Sequence, residues 1–200
     1  MRLAISAAPR YNGAGTGGAA VKDKLKTRDL VRVALAAALI AVCAWITVPA
    51  PPVPVSMQVF AIFFALGYLG GKRGTVAVLV YLLLGAVGVP VFSGFGGGLG
   101  ALLGPTGGYL FGFLFSALLY WLITARCGEK LPVTVAAMVA GLLACYAVGT
   151  LWFLWRYGEG MTLSAALATC VVPFLPWDAA KLALAVTLSR LVKKYEGKRG

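Results

Sequence analysis

Apolar residues gather into six runs, at 30–48, 56–69, 75–89, 109–124, 133–155 and 176–191, separated by short stretches rich in Gly, Pro or basic residues. None shows the strict alternation of a half-buried strand. A helix rises 1.5 Å per residue and needs ~20 residues to cross ~30 Å of hydrocarbon, so each run reads as a candidate transmembrane helix. A seventh apolar stretch, 161–172, is short and poorly separated from the sixth run. It reads as an interfacial or re-entrant helix, with a seventh span as the rival.

Basic residues test this segmentation independently, because short cytoplasmic loops carry the excess of Lys and Arg. Arg2, Arg10, Lys22, Lys24, Lys26, Arg28 and Arg32 precede or open the first run, and Arg190, Lys193, Lys194, Lys198 and Arg199 close the last. Both termini are therefore expected in the cytoplasm, which requires an even number of spans. Lys72 and Arg73 follow the second run and Arg126 and Lys130 follow the fourth, again on the inner side. On the other side, 49–55 and 90–105 hold no basic residue, and the connection after the fifth run holds only Arg156. The pattern predicts an all-α membrane protein of six transmembrane helices.

Composition agrees: 60% of the 200 residues are hydrophobic and 12% charged, with a mean hydropathy of +0.89. A soluble domain does not look like this. The expected division is a disordered basic cytoplasmic tail at 1–28, a six-helix domain at 29–193 and a second basic tail at 194–200. The net charge of +12 is then topogenic and suited to an anionic inner leaflet, not a sign of nucleic-acid binding. Cys43, Cys127, Cys145 and Cys170 show no CxxC spacing and the chain has no His, so a metal site is not expected.

Asp178 and Lys181 lie inside the sixth run, three residues apart and so on one side of a helix. A charge at the bilayer centre costs about 2.5–3.5 kcal/mol on insertion scales, and such residues normally face a cavity, a partner or a substrate. A structural role competes. Pro176 suits a first helical turn, Asp178 would favour the positive end of the helix dipole, and Lys181 can pair with it or snorkel. Two other segments share the outer side with this pair. One is the Gly-rich stretch 91–109, which contains Gly97, Gly98 and Gly107 among others and frees backbone groups to approach a ligand. The other is the Pro-rich stretch 51–58, which delivers Ser56 and Gln58 to the top of the second run. No phosphate loop is read beside the apolar runs: Arg73 follows Gly71 and Lys72 where a Ser or Thr is needed, and the stretch 91–109 contains no GxGxxG. In the first run, Ala34 with Ala38 and Ala37 with Ala41 form two small-xxx-small pairs, suited to close helix packing within the chain or against a membrane partner.

Four segments resemble, in order and wording, the BioY family of biotin-specific S components of energy-coupling factor (ECF) transporters. They are Pro52-Val-Pro-Val-Ser-Met-Gln58, Tyr81-Leu-Leu-Leu-Gly-Ala-Val-Gly-Val-Pro-Val-Phe92, Gly104-Pro-Thr-Gly-Gly-Tyr-Leu-Phe-Gly-Phe113 and Pro173-Phe-Leu-Pro-Trp-Asp-Ala-Ala-Lys181. The resemblance implies an S-component-like bundle in a prokaryotic plasma membrane that captures biotin at its outer face for import. It further implies association with a transmembrane coupling protein (the T component) and two ABC ATPase subunits, with Ala34 and Ala38 as the contact on the coupling protein. No cofactor is expected, since ATP is used by the partner subunits, and a homo-oligomer is compatible when the chain is alone. The implied substrate-binding residues are Asp178, Lys181, Gln58, Phe92, Gly97, Gly98, Thr106, Gly107 and Tyr109. Phe92, Phe95 and Tyr109 would wall the apolar part of the ligand, with 92–109 as a lid. The chain departs from the usual family pattern at Ser56, Met57 and Trp177. The rival reading is a stand-alone proton- or ion-coupled secondary transporter in which Asp178 titrates. An intramembrane enzyme is disfavoured by the lack of His and of a paired nucleophile and base.

Overall fold

The computed structural model describes residues 27–48 and 53–197. Residues 1–26 and 198–200 of the expected tails, and Pro51 with Pro52, lie outside these residues, while 27–28 and 194–197, also expected in the tails, are helical. A helix stands on each of the six apolar runs: α1 Thr27–Trp45, α2 Gln58–Leu69, α3 Gly71–Ala86, α5 Gly107–Cys127, α6 Leu131–Tyr157 and α8 Leu175–Gly197. Two short helices lie between them, α4 Gly98–Leu103 and α7 Leu163–Cys170. The Pro-rich segment is not merely extended: β1 Thr47–Val48 pairs antiparallel with β2 Val55–Ser56, Thr47 opposite Ser56.

Local chemistry explains the breaks. Gly70, at φ +80°, separates α2 from α3 in a conformation that a residue with a Cβ rarely adopts. Pro132 occupies the first turn of α6, where its missing N–H costs nothing. The Thr162 hydroxyl caps α7 by accepting the Ala165 N–H at 3.3 Å. Only eight residues long, α7 rises about 12 Å, too little to span a bilayer. It joins α8 through a 51° bend, beside Pro173 and Pro176, and so forms a broken segment with α8.

Helices α5 and α6 form the most extensive pairing in the bundle. Small residues explain it. On α5, Gly108, Gly112 and Ser116 recur every fourth residue; on α6, Gly141, Cys145 and Gly149 do the same. A Cβ on Gly112 would come within 3.0 Å of Cys145, and one on Gly141 within 2.5 Å of the Ser116 hydroxyl. One on Gly149 would overlap the Tyr109 ring. Facing ridges of small residues let two apolar helices approach closely where lipid gives no hydrophobic drive between them. The sequence shows the same spacing in α1, at Ala34 with Ala38 and Ala37 with Ala41.

α5 and α6 are each long and apolar enough to cross a membrane, and α7 with α8 supplies a third span if the bent pair counts as one. Large apolar side chains on several helices point outward, among them Leu35, Phe115 and Leu143, as suits a lipid-facing surface. Ion pairs gather the polar ends. Arg73 meets Asp29 at 3.0 Å, Arg32 meets Glu196 at 2.9 Å and Lys193 meets Glu129 at 2.7 Å. These contacts bring the starts of α1 and α3, the α5–α6 turn and the end of α8 to one end of the bundle.

Candidate functional site

A cavity of about 120 Å³ lies between β2, α2, α5, α6 and α8, with the 3₁₀ turn Ser93–Phe95 and α4 above it. Its wall is mostly apolar, from residues such as Phe92, Phe113, Leu142 and Phe174. Asp178 and Lys181 line it, both buried. Three residues apart on α8, they form an ion pair, with Lys181 Nζ donating to Asp178 Oδ1 at 2.8 Å.

A third member was not read from the sequence. Tyr146, on α6 and buried in the cavity wall, donates its hydroxyl to Asp178 Oδ2 at 2.7 Å. Charge-assisted hydrogen bonds on both oxygens offset the cost of burying the carboxylate, several kcal/mol per ion when unpaired. Asp178 also lies in the first turn of α8, where the helix dipole favours negative charge. The structural role foreseen for the pair is therefore real, yet it does not exhaust the groups. An ionised carboxylate offers about four lone-pair sites and an ammonium three donors, and these contacts use two and one. Tyr146→Phe is expected to lower the free energy of unfolding by about 1.5–3 kcal/mol, the worth of a hydrogen bond to a charged group. Thermal unfolding in detergent measures it.

Gln58 lines the cavity at the start of α2 and is held from both ends. Its Nε2 donates to the Tyr81 hydroxyl at 2.6 Å, and its Oε1 accepts from Ser93 at 3.1 Å and from Ser56 at 3.4 Å. Phe92 packs edge-on against Tyr81, 5.5 Å between ring centroids. Tyr109 lines the floor and donates to the Cys170 carbonyl at 3.3 Å. Thr106, just ahead of α5, is half-buried on the rim.

The structure thus brings Asp178, Lys181, Gln58, Phe92, Thr106 and Tyr109 to one cavity. Gly97, Gly98 and Gly107 are not among its lining residues. Gly97 packs on the Val89 carbonyl, Gly98 turns the chain at φ +79°, and Gly107 abuts the Leu102 carbonyl. Phe95 is exposed and stacks on Trp45 at 5.2 Å instead of walling the cavity. Trp177, the departure from the family pattern, is exposed as well. The Gly-rich segment is tied to its neighbours: Trp45 donates to the Pro90 carbonyl at 2.8 Å, Tyr157 to Leu103 at 2.9 Å and Trp152 to Gly104 at 3.0 Å. Tyr146, Cys145, Leu142 and Phe113 were missed because α5 and α6 are apolar all round. A tyrosine deep inside a 27-residue apolar helix was the one available signal.

A model of the BioY family matches residues 19–198. The chain is 41% identical over 172 residues to the biotin transporter BioY of Thermotoga maritima, covering 86% of this chain and 99% of that protein. It is 36% identical over 165 residues to the probable biotin transporter BioY of Pyrococcus horikoshii, covering 82% and 96%. Among solved structures, the crystal structure of the S-component for biotin from an ECF-type ABC transporter superimposes with a TM-score of 0.78 at 28% identity, covering 88% of this chain and 95% of that one. The chain belongs to the BioY family.

Proposed function

We propose that this membrane-embedded chain is the biotin-binding S component of an ECF-type transporter, taking up biotin in the cavity above Asp178 and Lys181. The observation that carries the reading is the Tyr146–Asp178–Lys181 network, buried in the wall of an otherwise apolar cavity. Its unused lone pairs and ammonium protons suit a ureido ring, which offers two N–H donors and one carbonyl acceptor. The apolar wall suits the thiophane ring and alkyl tail. Family members are transporters, not enzymes.

Six crossings with both termini in the cytoplasm are part of this proposal. Support comes from the ion pairs, which collect Lys193, Arg32 and Arg73 at one end of the bundle, while the cavity's loop residues 53–56, 92–93 and 106 carry no charge. Inner-side cations and an outer-side cavity fit capture from outside. Helices α2 and α3, with 12 and 16 residues, cross as short spans, which lipid accommodates at modest cost.

Partner docking draws support from α1. Of its two alanine pairs, Ala37 and Ala41 are buried against the bundle, whereas Ala34 and Ala38 are exposed beside Leu35. An exposed small-residue ridge suits close approach of a helix from the coupling protein. The partner ATPases would supply the energy. Ala38→Trp is then expected to leave biotin binding unchanged and to abolish ATPase-dependent uptake, a split that titration of the purified protein and uptake by intact cells read separately.

The direct test is titration of detergent-solubilised protein with biotin and with unrelated vitamins. Saturation by biotin at ~1:1, with no heat or fluorescence change from the others, is expected for a single enclosed site. Binding of another vitamin in its place overturns the substrate and leaves the fold untouched.

A further inference from the structure

We infer that the cavity reads the ureido end of its ligand and not the charge at the other end, so that amides and esters of biotin bind alongside the free acid. This rests on the biotin reading above and deepens it.

Charge distribution is the starting point. Among the described residues, Asp178 and Lys181 are the only charged ones that line the cavity, and they neutralise one another at 2.8 Å. Side by side they present a hydrogen-bond acceptor and a donor, the complement of a ureido N–H next to its carbonyl. A carboxylate brought to Lys181 would lie against the Asp178 carboxylate, and like charges in a poorly solvated wall repel strongly. The pair therefore takes the neutral ring.

That choice fixes where the acid goes. The valerate tail places the carboxyl a full tail length from the ring, away from the buried pair and toward the half-exposed rim. The polar groups offered there are the neutral hydroxyls of Ser56, Ser93 and Thr106. No Lys or Arg occurs anywhere between residues 74 and 125, and the exposed Arg156 at the end of α6 is not part of the lining. At the start of α5 most of the backbone amides are already engaged. The Gly107 amide is bonded to the Gly104 carbonyl at 3.0 Å, and those of Tyr109 and Leu110 to the Thr106 carbonyl at 3.0 and 3.3 Å. A hydrated rim without a cation leaves the tail carboxylate to water. Capping that carboxylate then changes little.

The test compares ligands on the unmodified protein, so it does not depend on a variant that folds. Biotin, biotinamide, biotin methyl ester and a biotin methylated on a ureido nitrogen are titrated into the detergent-solubilised chain. The amide and ester are expected within about fivefold of the acid, the range left by a solvent-screened charge. The ureido-methylated compound is expected to bind at least about tenfold more weakly, having lost a hydrogen bond to a carboxylate. An acid that binds about a hundredfold tighter than both caps, a preference erased by Lys181→Gln, overturns the inference and leaves the biotin reading standing: Lys181 would then hold the carboxylate. Full affinity for the ureido-methylated compound overturns the assignment of the pair to the ring. Absence of binding by biotin in every form overturns the biotin reading, and this inference with it.

Discussion

Asp178→Ala is expected to abolish measurable biotin binding and to lower the free energy of unfolding by about 3–5 kcal/mol, the cost of leaving one member of a buried ion pair alone. Three groups are affected at once. Lys181 keeps its charge in the cavity wall without a partner and Tyr146 loses the acceptor of its hydroxyl, and in the proposed binding mode the ligand loses its acceptor. Asp178→Asn should be milder, because the amide oxygen still accepts from Lys181 and the amide nitrogen can donate to the Tyr146 oxygen. Stability and binding are separable by the double variant Asp178→Ala with Lys181→Met, which removes both charges. It is expected to recover most of the lost stability, since apolar replacement of a buried pair is often neutral, while binding stays absent. Thermal unfolding and biotin titration on the same preparations give the two readouts. Binding that survives in the double variant would remove the pair from the site.

The fold is legible in the amino-acid sequence where physics acts along the chain and much less so where it acts between helices. Runs of apolar residues long enough for lipid locate helices directly, and α1, α2, α3, α5 and α6 fall on their runs to within four residues, while α8 continues six residues beyond its run, to Gly197. Asp178 and Lys181 were visible because a charge inside such a run is costly. Helix faces were not visible. In a soluble helix the polar side marks the outside, but in an apolar span both core and lipid sides are hydrophobic, so periodicity loses its contrast. Tyr146 and Leu142 went unnoticed for that reason, and so did the α5–α6 ridges built around Gly112 and Cys145. The Gly-rich segment misled in another way. Its glycines suggested backbone open to a ligand, whereas Gly97 and Gly107 are small because other backbone lies against them.

That distinction leads to a contrast between two glycines of one segment. Gly107→Ala is expected to lower stability by about 1–3 kcal/mol, as overpacking does, and to weaken biotin binding although Gly107 does not line the cavity. A methyl group there would overlap the Leu102 carbonyl oxygen, a backbone atom that cannot swing aside. Relief can come from moving the end of α4, which strains the bonds from Tyr157 to the Leu103 carbonyl and from Trp152 to the Gly104 carbonyl. It can come instead from moving the start of α5, which carries Thr106 on the rim and Tyr109 on the floor. Either shift alters the cavity's shape, and the first also loosens the segment above it. Gly100→Ala is the control. Gly100 lies within α4 with nothing within 4 Å of where its Cβ would stand. There the added methyl only favours helix, and the variant should be neutral or up to about 1 kcal/mol more stable, with unchanged biotin affinity. If both substitutions instead weaken biotin equally without loss of stability, the segment acts through backbone flexibility and not through the packed α4–α5 corner.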